Sequence, residues 1–103
     1  MLDLAPHRDA LADFARRWKV TELAVFGSAL RDDFGPHSDV DVLLSFADDE
    51  TWSLLDLAAM KLDLEELFGR KVDVMTRRAI EKSPNWIRRE AILSTAVPIY
   101  ASD

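Results

Sequence analysis

The chain has 103 residues, of which 49% are hydrophobic and 31% charged, and its formal net charge at pH 7 is −6. This length predicts one small globular domain, residues 1–103, with a single core. The acidic balance disfavours direct nucleic-acid binding, which needs a surface that neutralises phosphates. The sequence has no cysteine and no apolar run long enough to cross a membrane, so we expect a soluble cytoplasmic protein with no membrane contact.

The first half of the chain predicts a helix and two strands. Apolar residues recur at helical spacing over residues 7–18, which predicts an amphipathic helix. Two runs rich in apolar and β-branched residues, 22–26 and 40–46, predict strands. Between them, residues 29–33 predict a short helix that begins just after Gly27.

A longer helix is predicted over residues 51–68. Asp49 and Thr51 are the candidate N-terminal caps, and Gly69 is the expected stop. The apolar stripe of this helix, which we expect to face the core, consists of Leu54, Leu55, Ala58, Leu62 and Leu67.

The last third predicts two strands with a helix between them. Residues 71–75 alternate as a strand, and a helix over residues 85–95 follows Ser83 as its cap and Pro84 at its first position. Residues 97–100 predict an edge strand, because their proline cannot donate to a central ladder. This order of elements predicts an α/β (α+β) fold with helices packed against a small mixed β-sheet.

Two aspartates lie at the start of the second strand. Side chains along a strand alternate between its faces, so Asp39 and Asp41 project from one face, about 6.6 Å apart along the backbone. Carboxylates placed in this way can bind one hard divalent cation or bridge two. Taken alone, such a pair is more often a surface feature than a catalytic one.

A glycine and a serine end the first strand where the short helix is predicted to begin. Gly27 allows close backbone approach, and Ser28 adds a hydroxyl group. The first N–H groups of a helix lack intrahelical partners and lie at the positive end of the helix dipole. The strand-turn-helix therefore predicts a site that can hold a phosphate.

A third carboxylate follows on the strand over residues 71–75. Val72 and Val74 share one face of that strand, and Asp73 lies on the other. If this strand lies beside the strand of Asp39 with apolar faces aligned, Asp73 joins the other two carboxylates. Such a cluster is unfavourable unless cations neutralise it, as a pair of Mg²⁺ ions bridging phosphate oxygens would.

The segment 27–41 resembles the signature of the DNA polymerase β-like nucleotidyltransferase superfamily, in particular the minimal nucleotidyltransferase (MNT) domains. The shared features are Gly27-Ser28, the arginine three residues after that serine, Ser38, and Asp39-Val40-Asp41. Asp73 lies where this family carries its third acidic residue. The close resemblance covers residues 20–76.

The resemblance implies a site, a donor and a partner. It assigns catalytic and metal-binding roles to Asp39, Asp41 and Asp73, and nucleotide-binding roles to Gly27, Ser28, Arg31 and Ser38. It implies ATP as the nucleotide donor and Mg²⁺, as two ions, for catalysis. MNT domains are commonly antitoxins whose partner toxin is a HEPN-domain ribonuclease, and the antitoxin transfers AMP from ATP to a tyrosine of the toxin.

Two other functions are open at this point. The chain could inhibit the toxin by binding alone, with the acidic residues only structural, or it could modify a small molecule in a pocket built by oligomerisation. Three intact carboxylates favour the enzyme, since like charges without a cation to neutralise them are unfavourable. A domain of this size has no room for an acceptor pocket of its own, and its acidic surface suits a basic protein partner.

Several other residues allow more than one role. Arg31 fits either a phosphate contact or an ion pair with Asp33. A basic set flanks the strand of Asp73 and fits either a solvated face or contacts with a triphosphate: Arg70, Lys71, Arg77 and Arg78. The tryptophans lie on apolar helix faces and are expected in the core or at a partner: Trp18, Trp52 and Trp86.

Overall fold

The computed structural model describes residues 5–27, 35, 38–47 and 52–101. After a 3₁₀ turn at Ala5–His7, the elements in these ranges are α1 (Arg8–Trp18), β1 (Val20–Phe26), β2 (Val40–Phe46), α2 (Leu54–Phe68), β3 (Val72–Thr76), α3 (Arg77–Glu81), α4 (Trp86–Thr95) and β4 (Val97–Ala101). The predicted helix at residues 29–33 lies outside the described residues. In the part of the chain that is described, no helix is long and apolar enough to span a bilayer.

The four strands form one mixed sheet in the order β3-β2-β1-β4. β1 pairs antiparallel with β2 and with β4, while β2 and β3 are parallel. The mixed sheet and the neighbouring positions of the strands of Asp39 and Asp73 are therefore confirmed. The proline-containing strand β4 lies at an edge, also as predicted.

Helices cover both faces of the sheet. On one face, α1 and α2 bury Leu11, Phe14, Met60 and Leu64 against apolar residues of the strands, including Val40, Val42, Leu44 and Val72. On the other face, Ile80 of α3 and Ile92 of α4 pack against Ala24, Phe26 and Leu43. Because side chains alternate along a strand, Asp41 and Asp73 point to this second face.

An aromatic cluster closes the far end of the first core. Trp18 donates from Nε1 to a carboxylate oxygen of Asp63 at 3.0 Å, which joins α1 to α2. Trp52 packs edge-to-face against Trp18 and Phe46, with ring centroids 5.4 Å and 6.2 Å apart. These two tryptophans are half-buried and pack against the core, whereas the side chain of Trp86 on α4 is 62% exposed.

The N-terminal cap of α2 differs from the prediction. Ser53 is the cap: its Oγ accepts the N–H of Asp56 at 3.1 Å, and the Asp56 carboxylate accepts the N–H of Ser53 at 3.0 Å. This reciprocal pair satisfies two of the N–H groups that a helix start leaves unpaired. The prediction of Asp49 or Thr51 as the cap is wrong, while the stop at Gly69, in the left-handed conformation with φ 68°, is confirmed.

The face that α2 turns to the core also differs. Met60, Leu64 and Phe68 are buried, whereas Leu54, Leu55 and Leu62 are 85%, 83% and 65% exposed. The prediction that these three leucines and Ala58 pack into the core is wrong, although Leu67 does pack against it. Apolar residues occupy most of the circumference of α2, so periodicity alone does not select the buried face.

The start of α4 is also corrected. Asn85 is the cap, because its side chain accepts the N–H of Arg88 at 3.1 Å. Ser83 lies earlier, where its Oγ accepts the N–H of Asn85 at 3.3 Å. The prediction of a Ser83 cap with Pro84 at the first helical position is therefore wrong, since asparagine two residues later supplies an equally good cap. The short helix α3 was not predicted.

Candidate active site

The parallel pairing of β2 and β3 brings two of the predicted site residues together. The register places Asp41 opposite Asp73, and the two carboxyl groups are in hydrogen-bond contact. Asp41 is half-buried, while Asp73 and Asp39 are exposed. Asp39 directly precedes β2 and lies close enough to act on Asp41 electrostatically.

The environment of Asp41 favours its protonated form. Burial raises the pKa of the Asp41 carboxyl above its ordinary value of 3.8, and the neighbouring charges of Asp73 and Asp39 raise it further. The hydrogen bond with Asp73 acts in the same direction. The folded chain therefore holds carboxylates whose mutual repulsion a bound cation would relieve.

Gly27 forms the wall of the site on the other side of Asp41. Phe26 at the end of β1 pairs with Asp41, and Gly27 follows with φ +68°. A Cβ atom on Gly27 would overlap Oδ2 of Asp41. A larger residue here would therefore adopt an unfavourable backbone conformation and would also displace the Asp41 carboxylate. Ser28 and Arg31 lie outside the described residues, and their nucleotide-binding roles stay predictions.

Arg70, which follows α2 in the chain, holds the segment before Asp39. Nη1 of Arg70 donates to the carbonyl oxygen of Gly35 at 2.9 Å and to that of Ser38 at 3.3 Å. Ser38 is also bonded to Gly35, since its Oγ accepts the N–H of Gly35 and its N–H donates to the Gly35 carbonyl, both at 3.1 Å. The predicted contact of Ser38 with a nucleotide stays a prediction.

Two of the four residues in the basic set around β3 have identified structural partners. Arg70 fixes the loop that leads into Asp39, and Arg77 forms an ion pair with Glu22 of β1 at 3.4 Å. The sequence could not assign Arg70 to this role, because its acceptors lie 35 and 32 residues earlier in the chain and no local pattern marks such a contact.

The donor set fits a hard divalent cation. All the candidate ligands are carboxylates, which Mg²⁺ prefers, and Asp41 and Asp73 are adjacent. Within the described ranges, no three His, Cys, Asp or Glu side chains stand together in a metal-binding arrangement. The sequence predicted that three carboxylates converge. In the structure Asp41 and Asp73 are in contact, whereas Asp39 is only near enough to affect Asp41 electrostatically.

The two left-handed glycines provide a matched test of the space beside Asp41. Gly27 and Gly69 share φ +68°, but a Cβ on Gly69 meets nothing within 4 Å. Gly69→Ala should therefore lower the unfolding free energy by about 1 kcal/mol, because only the left-handed backbone conformation disfavours alanine there. Gly27→Ala should lose more, because it also displaces the Asp41 carboxylate. Urea unfolding of both variants measures the difference, and equal losses would contradict the crowding.

The raised pKa of Asp41 predicts a pH-dependent stability. Since folded Asp41 holds its proton more tightly than the unfolded chain does, the metal-free protein should lose stability as pH rises from the ordinary carboxyl range through the raised pKa. Asp41→Asn should therefore melt above wild type at pH 7, with the gap closing in acid. Thermal unfolding of both proteins in EDTA, at several pH values, measures this difference in melting temperature. Asp13→Asn, on the exposed face of α1, is the control, and a gap that did not change with pH would refute the prediction.

The Arg70 contacts predict a local change when they are removed. Arg70→Gln should speed hydrogen exchange of the Ser38 and Val40 amides, because the loop that these bonds hold would open more often. Arg78→Gln, an exposed change on α3, should leave both amides as in wild type. Exchange measured residue by residue by NMR distinguishes the two, and unchanged protection in Arg70→Gln would show that the loop does not depend on Arg70.

The sequence was compared with protein families and with known proteins. It matches the family model of the nucleotidyltransferase domain over residues 7–97. It is 36% identical over 80 residues to MJ0435 of Methanocaldococcus jannaschii, a proposed protein adenylyltransferase, with 78% of this chain and 80% of that protein covered. It is 35% identical over 78 residues to the protein adenylyltransferase MntA of Thermococcus cleftensis, with 76% of this chain and 74% of MntA covered.

Solved structures share the fold. A proposed minimal nucleotidyltransferase superposes with a TM-score of 0.70 at 35% identity, covering 93% of this chain and 92% of that one. A toxin-antitoxin crystal structure with AMP-PNP gives 0.71 at 14% identity over 93% and 74%. A tri-AMPylated Shewanella oneidensis HEPN toxin in complex with its MNT antitoxin gives 0.66 at 13% identity over 97% and 74%. With the family match over most of its length, and with paired acidic strands beside a glycine turn, the chain belongs to the nucleotidyltransferase domain family.

Proposed function

We propose that the chain is a Mg²⁺-dependent protein adenylyltransferase that transfers AMP from ATP to a tyrosine of a HEPN-domain toxin and so neutralises it. The observation that carries this proposal is the position of Asp41. Its carboxylate lies against Gly27 on one side and against Asp73 on the other, which joins a turn suited to phosphate to a pair of metal-binding groups.

The residues of the site divide the work. The backbone at Gly27 lets the polyphosphate approach closely, and Ser28 is the proposed hydroxyl donor to it. Asp39, Asp41 and Asp73 are the proposed ligands of two Mg²⁺ ions, which when bound would neutralise the charge of the triphosphate. Asp73, the exposed member of the contacting pair, is the carboxylate that an incoming hydroxyl can reach.

The reaction is a substitution at the α-phosphorus of ATP. The phenolic oxygen of the acceptor forms a bond to that phosphorus, the bond from phosphorus to the bridging oxygen of the β-phosphate breaks, and pyrophosphate leaves. The phenolic proton passes to solvent. Asp73, beside the attacking oxygen, favours loss of that proton, while the turn at Gly27 holds the leaving phosphates in line.

The acceptor is proposed from similarity. The chain is 35% identical to a protein adenylyltransferase named MntA, and it shares its fold with chains of toxin-antitoxin structures.

Turnover separates this enzyme from an inhibitor that only binds. A small fraction of a molar equivalent of the chain, with ATP and Mg²⁺, should silence a molar excess of the HEPN toxin, and the toxin should gain about 329 Da for each AMP attached. Ribonuclease titration and intact-mass analysis measure both effects. Asp41→Asn should lower the rate of transfer at least about 100-fold, because a metal ligand is lost, while Asp13→Asn should transfer at the wild-type rate.

The opposite result is equally clear. If inhibition needs one antitoxin chain for each toxin site, proceeds without ATP and adds no mass to the toxin, occupancy rather than chemistry silences the toxin. Asp41→Asn would then inhibit as well as wild type, and the enzymatic proposal would fail.

A further inference from the structure

A groove runs between α2 and β3, along the β3 edge of the sheet that the described strands form, and it reaches Asp73. It has a volume of about 470 Å³ and is lined by residues 73–75 of β3 and by four residues of α2: Leu54, Leu57, Ala58 and Lys61. Asp73 thus belongs both to this groove and to the acidic pair with Asp41. Whatever fills the groove lies directly beside the proposed reaction centre.

The backbone of β3 offers pairing groups to this groove. β3 is at the edge of the sheet formed by the described strands. The N–H of Val40 donates to the carbonyl of Lys71 at 3.0 Å, so the backbone groups of Lys71 and Asp73 face β2, and those of Val72 and Val74 face outward. The N–H of Val72 donates to Oε2 of Glu65 at 3.1 Å. The outward N–H and carbonyl of Val74 are then the ones placed for an added strand.

The helix wall of the groove is mostly apolar. Leu54, Leu57 and Ala58 line it together with Lys61, and the side chain of Leu54 is 85% exposed. An exposed large apolar side chain in such a groove is typical of a binding surface. The groove therefore combines a strand edge, an apolar wall and a catalytic carboxylate at its end.

We propose that this groove binds the acceptor segment of the partner toxin in an extended conformation, as a fifth strand beside β3. The inference rests on the proposed function. In an added strand, a residue level with Asp73 points to the same face as Asp73, and its two neighbours point to the opposite face, toward Leu54 and Ala58. The segment that fits thus carries its tyrosine between two apolar residues.

A second copy of this chain does not fit the same role. The only tyrosine in the sequence is Tyr100, which lies on β4 at the other edge of the sheet and packs against the core. The net charge of −6 also disfavours self-association and favours a basic partner. A foreign segment brings the reacting hydroxyl that this chain cannot supply.

Matched substitutions on α2 test the groove. AMP transfer to the HEPN toxin is measured for Leu54→Arg, Ala58→Arg and Leu62→Arg. The first two change residues that line the groove, whereas Leu62 is an exposed leucine of the same helix outside it. Leu54→Arg and Ala58→Arg should lower kcat/KM for the toxin about tenfold or more, as loss of a central apolar contact does. The KM for ATP should not change, and Leu62→Arg should match wild type.

The result that overturns the proposal is equal transfer by Leu54→Arg and Leu62→Arg. If Leu54→Arg instead converts a dimer to a monomer in gel filtration and leaves transfer unchanged, a second copy covers the groove and the proposal also fails. Absence of transfer by the wild-type chain would sink the proposed function rather than the groove.

Binding without chemistry gives an independent readout. The chain has no cysteine, so Ala58→Cys provides a single site for a thiol-reactive fluorophore. Toxin should shield that fluorophore from a soluble quencher, while a fluorophore at Leu62→Cys should stay accessible. Equal quenching at the two sites in the presence of bound toxin would exclude the groove as the docking site, whether or not AMP is transferred.

Discussion

The parallel pairing of β2 with β3 sets two like-charged side chains beside each other, and the rest of the site depends on that pairing. Among the valines that alternate with Asp41 and Asp73, Val40, Val42 and Val72 are 0 to 1% exposed. A slip of one residue would turn these valines to the opposite face and force the carboxylates into the core. Hydrophobic burial on one face of the sheet therefore maintains an electrostatically unfavourable arrangement on the other.

The segment that connects α2 to β3 positions both halves of this arrangement. Glu65, in the last turn of α2, accepts the first outward N–H of β3, and Gly69 ends the helix in the left-handed conformation. Arg70 then reaches back to the carbonyls of Gly35 and Ser38. A few consecutive residues thus fix the start of the strand that carries Asp73 and the loop that leads to Asp39.

Local patterns predicted the elements that carry the site. A run rich in apolar and β-branched residues located the strand of Asp41, and alternation located the strand of Asp73. If these strands were adjacent with their apolar faces aligned, the aspartates would be neighbours, as they are. Gly69 and the proline of β4 marked a stop and an edge for reasons that act within a few residues.

Features that depend on competing local signals or on distant contacts were not predictable. Ser53, Thr51 and Asp49 are all good caps, and only the reciprocal bond with Asp56 decides for Ser53. Leucines nearly surround α2, so its buried face follows from where the sheet lies. Those leucines were assigned to the core, yet Leu54 and Leu55 are the most exposed large apolar side chains in the described part of the chain.

The tryptophans of the aromatic cluster at the far end of β2 make the packing of the core measurable by intrinsic fluorescence. Trp18 and Trp52 meet edge-to-face beside Phe46, five positions along β2 from Asp41, or about 16 Å in an extended strand. Their emission reports on the interior and is insensitive to small changes at the acidic pair. Trp86 is exposed to solvent, so an ionic quencher reduces its fluorescence first. The quenched signal then reports on α4, and the remaining signal reports on the packing of the core.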